Sequence, residues 1–142
     1  MLRTFGLLIF LVLFLPFVAV GGGPKPFSLD IQTALCVEGQ LPVGEPFVEV
    51  AVYSTANPSI PLFRGFTNKT GSLALGLFAD LPETFYIEVK RDQIDGILRR
   101  TLPLARSNAI LVGPRETIYC MPMYYPDSGG SGLWGCSCRT WG

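Results

Sequence analysis

The chain has 142 residues, with 11 basic and 11 acidic side chains, no histidine and four cysteines. A balanced charge releases few counterions from a polyphosphate, so nucleic acid is excluded as an expected partner. Histidine is the commonest general base, the usual partner of a serine or cysteine nucleophile, and the commonest metal ligand. The composition therefore disfavours an enzyme, and we predict no catalytic residue, no metal ligand and no cofactor.

The first part of the chain is an apolar run over residues 7–20 that follows a single basic residue, Arg3. A membrane-spanning helix needs roughly 20 apolar residues, whereas the core of a signal peptide is shorter. Small residues follow the run, and we predict a signal peptide over residues 1–22, a secreted or cell-surface location, and membrane contact only during export. The alternatives are an uncleaved anchor, which Pro16 would kink, and a pilin-type leader cut after Gly6.

Three further regions follow the leader along the chain. Residues 23–27 are a glycine- and proline-rich spacer, residues 28–124 carry strand-like patterns, and residues 125–142 form a glycine-rich tail with aromatic residues and cysteines. We therefore predict one β domain at 28–124, between the spacer and the tail. About 120 residues remain after leader removal, which is enough for one domain and not for two.

Within the domain, apolar residues recur at every second position. The first such run places on one face Leu29, Ile31, Thr33, Leu35 and Val37. Similar runs follow at residues 47–53, 62–67, 72–77, 85–90, 97–104, 109–112 and 117–123, with Gly, Pro and Asn at the breaks between them. Many short strands without sustained helical periodicity predict an all-β fold, built as an immunoglobulin-like antiparallel sandwich of seven or eight strands.

The four cysteines, Cys36, Cys120, Cys136 and Cys138, predict disulfide bonds in an exported chain. Four cysteines allow three pairings. A bond between Cys136 and Cys138 would close a very tight ring, so the favoured pairing joins Cys36 and Cys120 each to one of these two. A zinc site is disfavoured because its ligand pairs usually have two to four intervening residues, and here there is one.

Residues 35–89 carry an ordered set of motifs. A strand Val48-Glu49-Val50-Ala51-Val52-Tyr53 precedes the turn Thr67-Asn68-Lys69-Thr70-Gly71 and the strand Phe85-Tyr86-Ile87-Glu88-Val89. This order resembles the transthyretin-like, or carboxypeptidase-regulatory-like, sandwich, including its secreted transthyretin-like members. The resemblance implies that architecture and a role in binding, adhesion or assembly. It implies no hydrolase or hormone site, because the histidines those relatives use are absent here.

Two sets of residues are candidates for contact with other molecules. The aromatic residues Tyr119, Tyr124, Tyr125, Trp134 and Trp141 near the C-terminus are predicted either to bind a partner protein or a glycan, or to cap the core. Asn68 lies in an Asn-Lys-Thr sequon within a turn and is a candidate glycosylation site.

These features predict a non-enzymatic extracellular structural or adhesive module that acts through contacts with other proteins or with copies of itself. An alternative is a subunit of a pilus-like surface filament. In that case residues 27–37, with Leu29, Ile31, Thr33, Leu35 and Val37, would be donated as a strand to the next subunit. A second alternative is a secreted hydrolase, for which the sequence offers no motif.

Overall fold

The computed structural model describes residues 23–95, 98–101, 104–127 and 133–141. The predicted signal peptide and the glycine-rich residues 128–132 of the tail lie outside these ranges. The described residues form strands and contain no helix, so the predicted all-β class is confirmed. None of them belongs to a helix long and apolar enough to cross a membrane.

Fourteen short strands are present in the described ranges. They are β1 Lys25–Gln32, β2 Ala34–Leu35, β3 Glu49–Ser54, β4 Phe63–Phe66, β5 Ser72–Ala79, β6 Glu83–Lys90, β7 Asp92–Asp95, β8 Leu98–Thr101, β9 Ala105–Arg106, β10 Ile110–Val112, β11 Thr117–Cys120, β12 Met123–Tyr125, β13 Leu133–Gly135 and β14 Cys138–Trp141. The first strand begins inside the predicted spacer, and the last two lie inside the predicted tail. Both segments therefore contribute to sheets.

The strands form four sheets. A four-stranded sheet has the order β14-β11-β1-β5, and a five-stranded sheet has the order β10-β6-β3-β4 with β9 also paired to β6. A smaller sheet has the order β13-β12-β2, and β7 pairs with β8. The pairs β1–β11 and β2–β12 are parallel, which differs from the predicted all-antiparallel arrangement. Alternation in the sequence identifies the buried face of a strand but not its neighbours.

The hydrophobic core lies between the two larger sheets. Inward residues of β1, such as Leu29 and Ile31, join the same buried cluster as Val50 of β3 and Ile87 of β6. The rings of Phe27 and Phe85 stack across the two sheets with centroids 4.8 Å apart. Burial of each large apolar side chain contributes about 1.5–3 kcal/mol, so the period-2 residues supply the main driving force that brings the sheets together.

A buried polar cluster closes one end of this core. The Thr33 hydroxyl donates a hydrogen bond to the Glu45 carbonyl oxygen at 2.6 Å and accepts one from the Glu45 backbone N–H at 3.0 Å. The Thr67 hydroxyl accepts a hydrogen bond from the backbone N–H of Val48 at 2.9 Å. Gly71 adopts a φ of 81° against this cluster, a conformation that glycine reaches at little steric cost. These bonds explain why Thr33 is buried although it is polar.

Candidate functional site

The outer side of the four-stranded sheet, which we call the open face, carries polar and aromatic side chains in rows across the strands. Residues at matched registers of β14, β11, β1 and β5 form one row, which consists of Arg139, Tyr119, Asp30 and Ala74. The adjacent row consists of Trp141, Thr117, Ser28 and Gly76. These residues alternate with buried ones such as Leu29 and Ile118, so their side chains point away from the core.

A groove of about 610 Å³ lies on the open face. Its lining includes Asp30 and Gln32 of β1, Tyr119 of β11 and Arg139 of β14, and Ser72 of β5 completes the far end. Pockets that hold small molecules usually measure about 300–1,000 Å³. The groove therefore has the size of a small-ligand site.

Three polar groups in the groove have no hydrogen-bond or ion-pair partner among the described residues. The Asp30 carboxylate and the Tyr119 hydroxyl make no hydrogen bond and no ion pair there, and the Arg139 guanidinium makes only a ring contact, 5.4 Å from the Trp141 ring centroid. Gln32 differs, because its side-chain oxygen accepts a hydrogen bond from the Ser72 hydroxyl at 2.6 Å. At one end of the groove the side chains of Gln32 and Ser72 are therefore held by their mutual hydrogen bond, and the other three groups are available to a ligand.

The structure divides the predicted aromatic set into two groups. Trp141 is 59% exposed and packs against Tyr119 on the open face, with ring centroids 5.3 Å apart. Tyr124 is buried instead and meets Trp134 edge to face at 5.5 Å. The Trp134 indole N–H donates to the Val89 carbonyl at 3.3 Å. Tyr124 and Trp134 thus join the small sheet to the core, while Trp141 remains at the surface.

Tyr125, the fifth residue of the predicted aromatic set, is half-buried, and its hydroxyl lies 3.4 Å from the sulfur of Met123. Behind the same small sheet, the buried carboxylate of Glu45 forms an ion pair with Arg91. The Arg91 guanidinium lies 4.7 Å over the ring of Tyr124. The small sheet is therefore attached to the body through both aromatic and charged contacts.

One disulfide bond, between Cys120 and Cys138, links β11 to the edge strand β14 directly beneath the groove. This bond confirms the predicted disulfide chemistry. The second predicted bond is not formed, because Cys36 and Cys136 are free thiols. Cys36 follows β2 and Cys136 follows β13, on opposite sides of β12. Two strand spacings of about 4.8 Å exceed the roughly 7 Å between Cα atoms that a disulfide tolerates.

Burial raises the pKa of the Cys136 thiol to about 12. The thiolate is the reactive form of cysteine, so Cys136 is inert at physiological pH. Cys136 packs against the core as a small apolar residue. It therefore acts as a packing residue and not as part of a redox pair.

The outer side of the five-stranded sheet, which we call the closed face, is arranged differently. Tyr53 and Tyr86 stack there with centroids 5.3 Å apart. Arg106 pairs with Glu88 at 2.6 Å and lies over the ring of Tyr86. The hydrogen bonds that Arg106 donates to this carboxylate hold the pKa of Arg106 above its ordinary value. Aromatic and charged groups on the closed face are thus bonded to one another.

A further ion pair joins Arg64 to Glu49 at 2.9 Å on the closed face. The same guanidinium donates a hydrogen bond to the Tyr53 hydroxyl at 3.3 Å. Hydrogen bonding to Glu49 raises the pKa of Arg64. The closed face therefore has two ion pairs that surround one aromatic stack.

Asn68 lies in an exposed turn, as the sequence predicts. Its side-chain oxygen accepts hydrogen bonds from the backbone N–H groups of Thr70 and Ser72, both at 2.9 Å. The oxygen therefore fixes the turn, while the side-chain nitrogen that would carry a glycan has no partner among the described residues.

Of the predicted donor strand, Leu29 and Ile31 lie on β1 in the interior of the four-stranded sheet, Leu35 lies on β2 in the small sheet, and Thr33 and Val37 lie outside the strands. Leu29, Ile31 and Thr33 are buried, whereas Leu35 and Val37 are half-buried. Strand β1 pairs with β5 on one side and with β11 on the other. Donation of this segment would therefore remove a strand that is already paired on both sides.

Asp30 and Arg139 were not singled out from the sequence, although one signal was present. Tyr119 precedes Cys120, and Arg139 follows Cys138, so an antiparallel pair centred on that disulfide places Tyr119 beside Arg139. No comparable local signal identifies Asp30, whose neighbours come from distant strands.

The described residues contain no cluster of three or more side chains suited to a metal ion. Comparison with protein-family models gives no match. Searches of curated proteins and of solved structures also give no significant match. The functional interpretation therefore depends on the geometry of the chain itself.

Proposed function

We propose that the chain is a non-enzymatic extracellular structural or adhesive module that acts through protein–protein contacts. The observation that carries the proposal is the free edge of β5. Strand β5 is the last strand of its sheet. Apart from bonds of Ser72 within the turn, its backbone bonds only to β1 among the described residues. An unpaired strand edge is a template for strand addition by another chain.

The composition of this edge favours pairing. Strand β5 has the sequence SLALGLFA, which contains no charged residue and no proline. Proteins that avoid edge pairing usually place such residues on their edge strands. Phe78, on the outward side, is 67% exposed. Antiparallel pairing of two copies of β5 would form a symmetric interface in which no like charges oppose each other.

We further propose that the two large sheets form a transthyretin-like sandwich and that the chain is secreted after removal of a signal peptide. The shared core of the two sheets and the left-handed Gly71 in the Thr67–Gly71 turn support the first part. The apolar run over residues 7–20 and the disulfide between Cys120 and Cys138 support the second.

A charge placed on the β5 edge tests the contact. The chain is produced in an exporting host, and the secreted protein is studied by sedimentation equilibrium as wild type, Phe78→Lys and Leu111→Lys. The matched control Leu111 lies on β10, an end strand of the five-stranded sheet, and is 65% exposed. We expect a wild-type dimer that Phe78→Lys dissociates and that Leu111→Lys leaves intact, since a charge at a paired edge opposes its own copy.

Several results would contradict the proposal. A wild-type chain that stays monomeric at the highest soluble concentration would exclude self-association through β5. Long fibres that require residues 27–37 would favour the donor-strand filament instead. Turnover of a polymer by the secreted protein would favour the hydrolase.

A further inference from the structure

We propose that the open face is a carbohydrate-binding site in which a neutral pyranose ring lies against Tyr119, between the carboxylate of Asp30 and the guanidinium of Arg139. This inference concerns a different surface from the β5 edge and does not depend on self-association.

The aromatic part of the groove suits one face of a sugar ring. The C–H groups of a pyranose form an apolar patch that packs on an aromatic ring, as other apolar groups do. Tyr119 lines the groove and is 36% exposed. Trp141 packs against Tyr119 from the neighbouring strand. The Tyr119 ring is thereby positioned before a ligand arrives, which lowers the entropic cost of binding.

The polar part of the groove suits the hydroxyl groups of a sugar. Asp30 only accepts hydrogen bonds and Arg139 only donates them, whereas each hydroxyl can do both. Neither charged group is paired within the described residues. Hydrogen bonds to charged groups are stronger than those between neutral groups. One neutral polyol can therefore satisfy both groups at once.

The register sets the separation of the backbone positions that carry the two charged groups. Arg139, Tyr119 and Asp30 occupy neighbouring positions on β14, β11 and β1. Two strand spacings separate the backbones of Arg139 and Asp30 by roughly 10 Å. A ring on Tyr119 can then reach both groups through hydrogen bonds of about 2.8 Å.

Two other ligand classes fit less well. An anionic ligand such as a uronate or a phosphate would meet the Arg139 guanidinium but would be repelled by the Asp30 carboxylate. An extended peptide would need free backbone groups, yet the groove lies over β1 and β11, which are each paired on both sides. The free backbone edge of β5 is the site for a strand, and the groove is the site for a small polyol.

Binding is tested with the secreted protein on an array of neutral oligosaccharides that end in glucose, galactose, mannose or N-acetylglucosamine, with uronate-terminated sugars alongside. The strongest ligand is then titrated by isothermal calorimetry into the wild type and the variants Asp30→Asn and Tyr119→Leu. Asp80→Asn serves as the matched control, because Asp80 is exposed and lies in a turn outside the groove.

We expect binding of at least one neutral sugar. Asp30→Asn and Tyr119→Leu should each weaken that binding tenfold or more, and Asp80→Asn should change it less than twofold. Circular dichroism and thermal melting establish that each variant is folded. The proposal is overturned if no neutral sugar binds at millimolar concentration, if only uronates bind, or if folded Asp30→Asn and Tyr119→Leu bind as the wild type does.

The two sites are distinguished by a crossed experiment. The Phe78→Lys variant should bind sugar with wild-type affinity but be monomeric. The Asp30→Asn variant should form the dimer but bind sugar weakly. If Phe78→Lys abolished both, the groove would not be an independent site.

Discussion

The outer faces of the two large sheets contain similar residues but use them differently. On the closed face, Arg64 and Arg106 are each paired with a glutamate beside stacked tyrosines. On the open face, Asp30 and Arg139 lie on strands flanking Tyr119 and form no ion pair with any residue that the structure describes. Charges that bond one another stabilise a surface, whereas charges held apart by an aromatic residue remain available to a ligand. The difference separates a structural face from a recognition face.

The largest expected effect comes from the most deeply buried of the described ion pairs, Glu45 with Arg91. Replacement of Arg91 by Met should lower the free energy of unfolding by about 3–5 kcal/mol, because it leaves a buried carboxylate without a partner. Urea denaturation measures this loss. The control is Lys90→Met, since Lys90 is half-buried and has no ion pair among the described residues. If Arg91→Met and Lys90→Met lowered the free energy of unfolding equally, the ion pair between Glu45 and Arg91 would not be what stabilises this region.

The disulfide bond supports the open face, and its removal should have the next largest effect. The double variant Cys120→Ala/Cys138→Ala lacks the covalent bond between two residues that are 18 positions apart in the sequence. In the chain-entropy account a loop of this size contributes about 3 kcal/mol. Sugar binding should also fall, because Arg139 and Trp141 lie on the strand that the bond retains. Cys36→Ala is the control, and a sugar affinity unchanged by loss of the bond would contradict the role of β14.

A third prediction concerns Cys136, a half-buried thiol with no hydrogen-bond partner among the described residues. The pKa of Cys136 is raised from 9.0 to about 12 by burial, so the native state holds its proton more tightly than the unfolded state. Stability from this thiol is complete below pH 9 and is lost as the pH rises from 9 towards 12, by about 1.4 kcal/mol per pH unit. Denaturation between pH 9 and 11 should show a steeper decline for the wild type than for Cys136→Ala. Parallel declines would show that the thiol is solvated.

The smallest expected effect compares one arginine from each face. Arg106→Met should lower the melting temperature slightly in low salt, and added salt should remove the difference, because the ion pair with Glu88 is exposed. Arg139→Met should leave the melting temperature unchanged but weaken sugar binding. If Arg139→Met destabilised the fold as much as Arg106→Met, the open face would also be stabilised by its charges.

Burial patterns were the most predictable part of the fold. Val50, Val52, Ile87 and Val89 are buried as alternation predicts, because successive side chains on a strand point to opposite faces. The left-handed conformation of Gly71 also follows from local turn chemistry. Both features depend on residues that are close in sequence.

The candidate site was less predictable, because it depends on which distant strands become neighbours. Tyr124 and Trp141 belong to the same predicted aromatic set, yet β12 joins the small sheet against the core while β14 forms an edge of the large sheet. The position of Asp30 beside Tyr119 requires the parallel pairing of β1 with β11. The pattern of residues along the chain does not indicate which distant strands pair. The disulfide bond predicted for Cys36 was wrong for the same reason.

The central position of β1 affects how the chain reaches its native state. Residues 28–31 form their parallel ladder with residues 117–120, so this ladder can form only after residue 120 has been synthesised. Pairings of such long sequence separation are slow to form. Until then the side of β1 that pairs with β11 has no partner strand, and a molecular chaperone in the cell would be most needed during this interval.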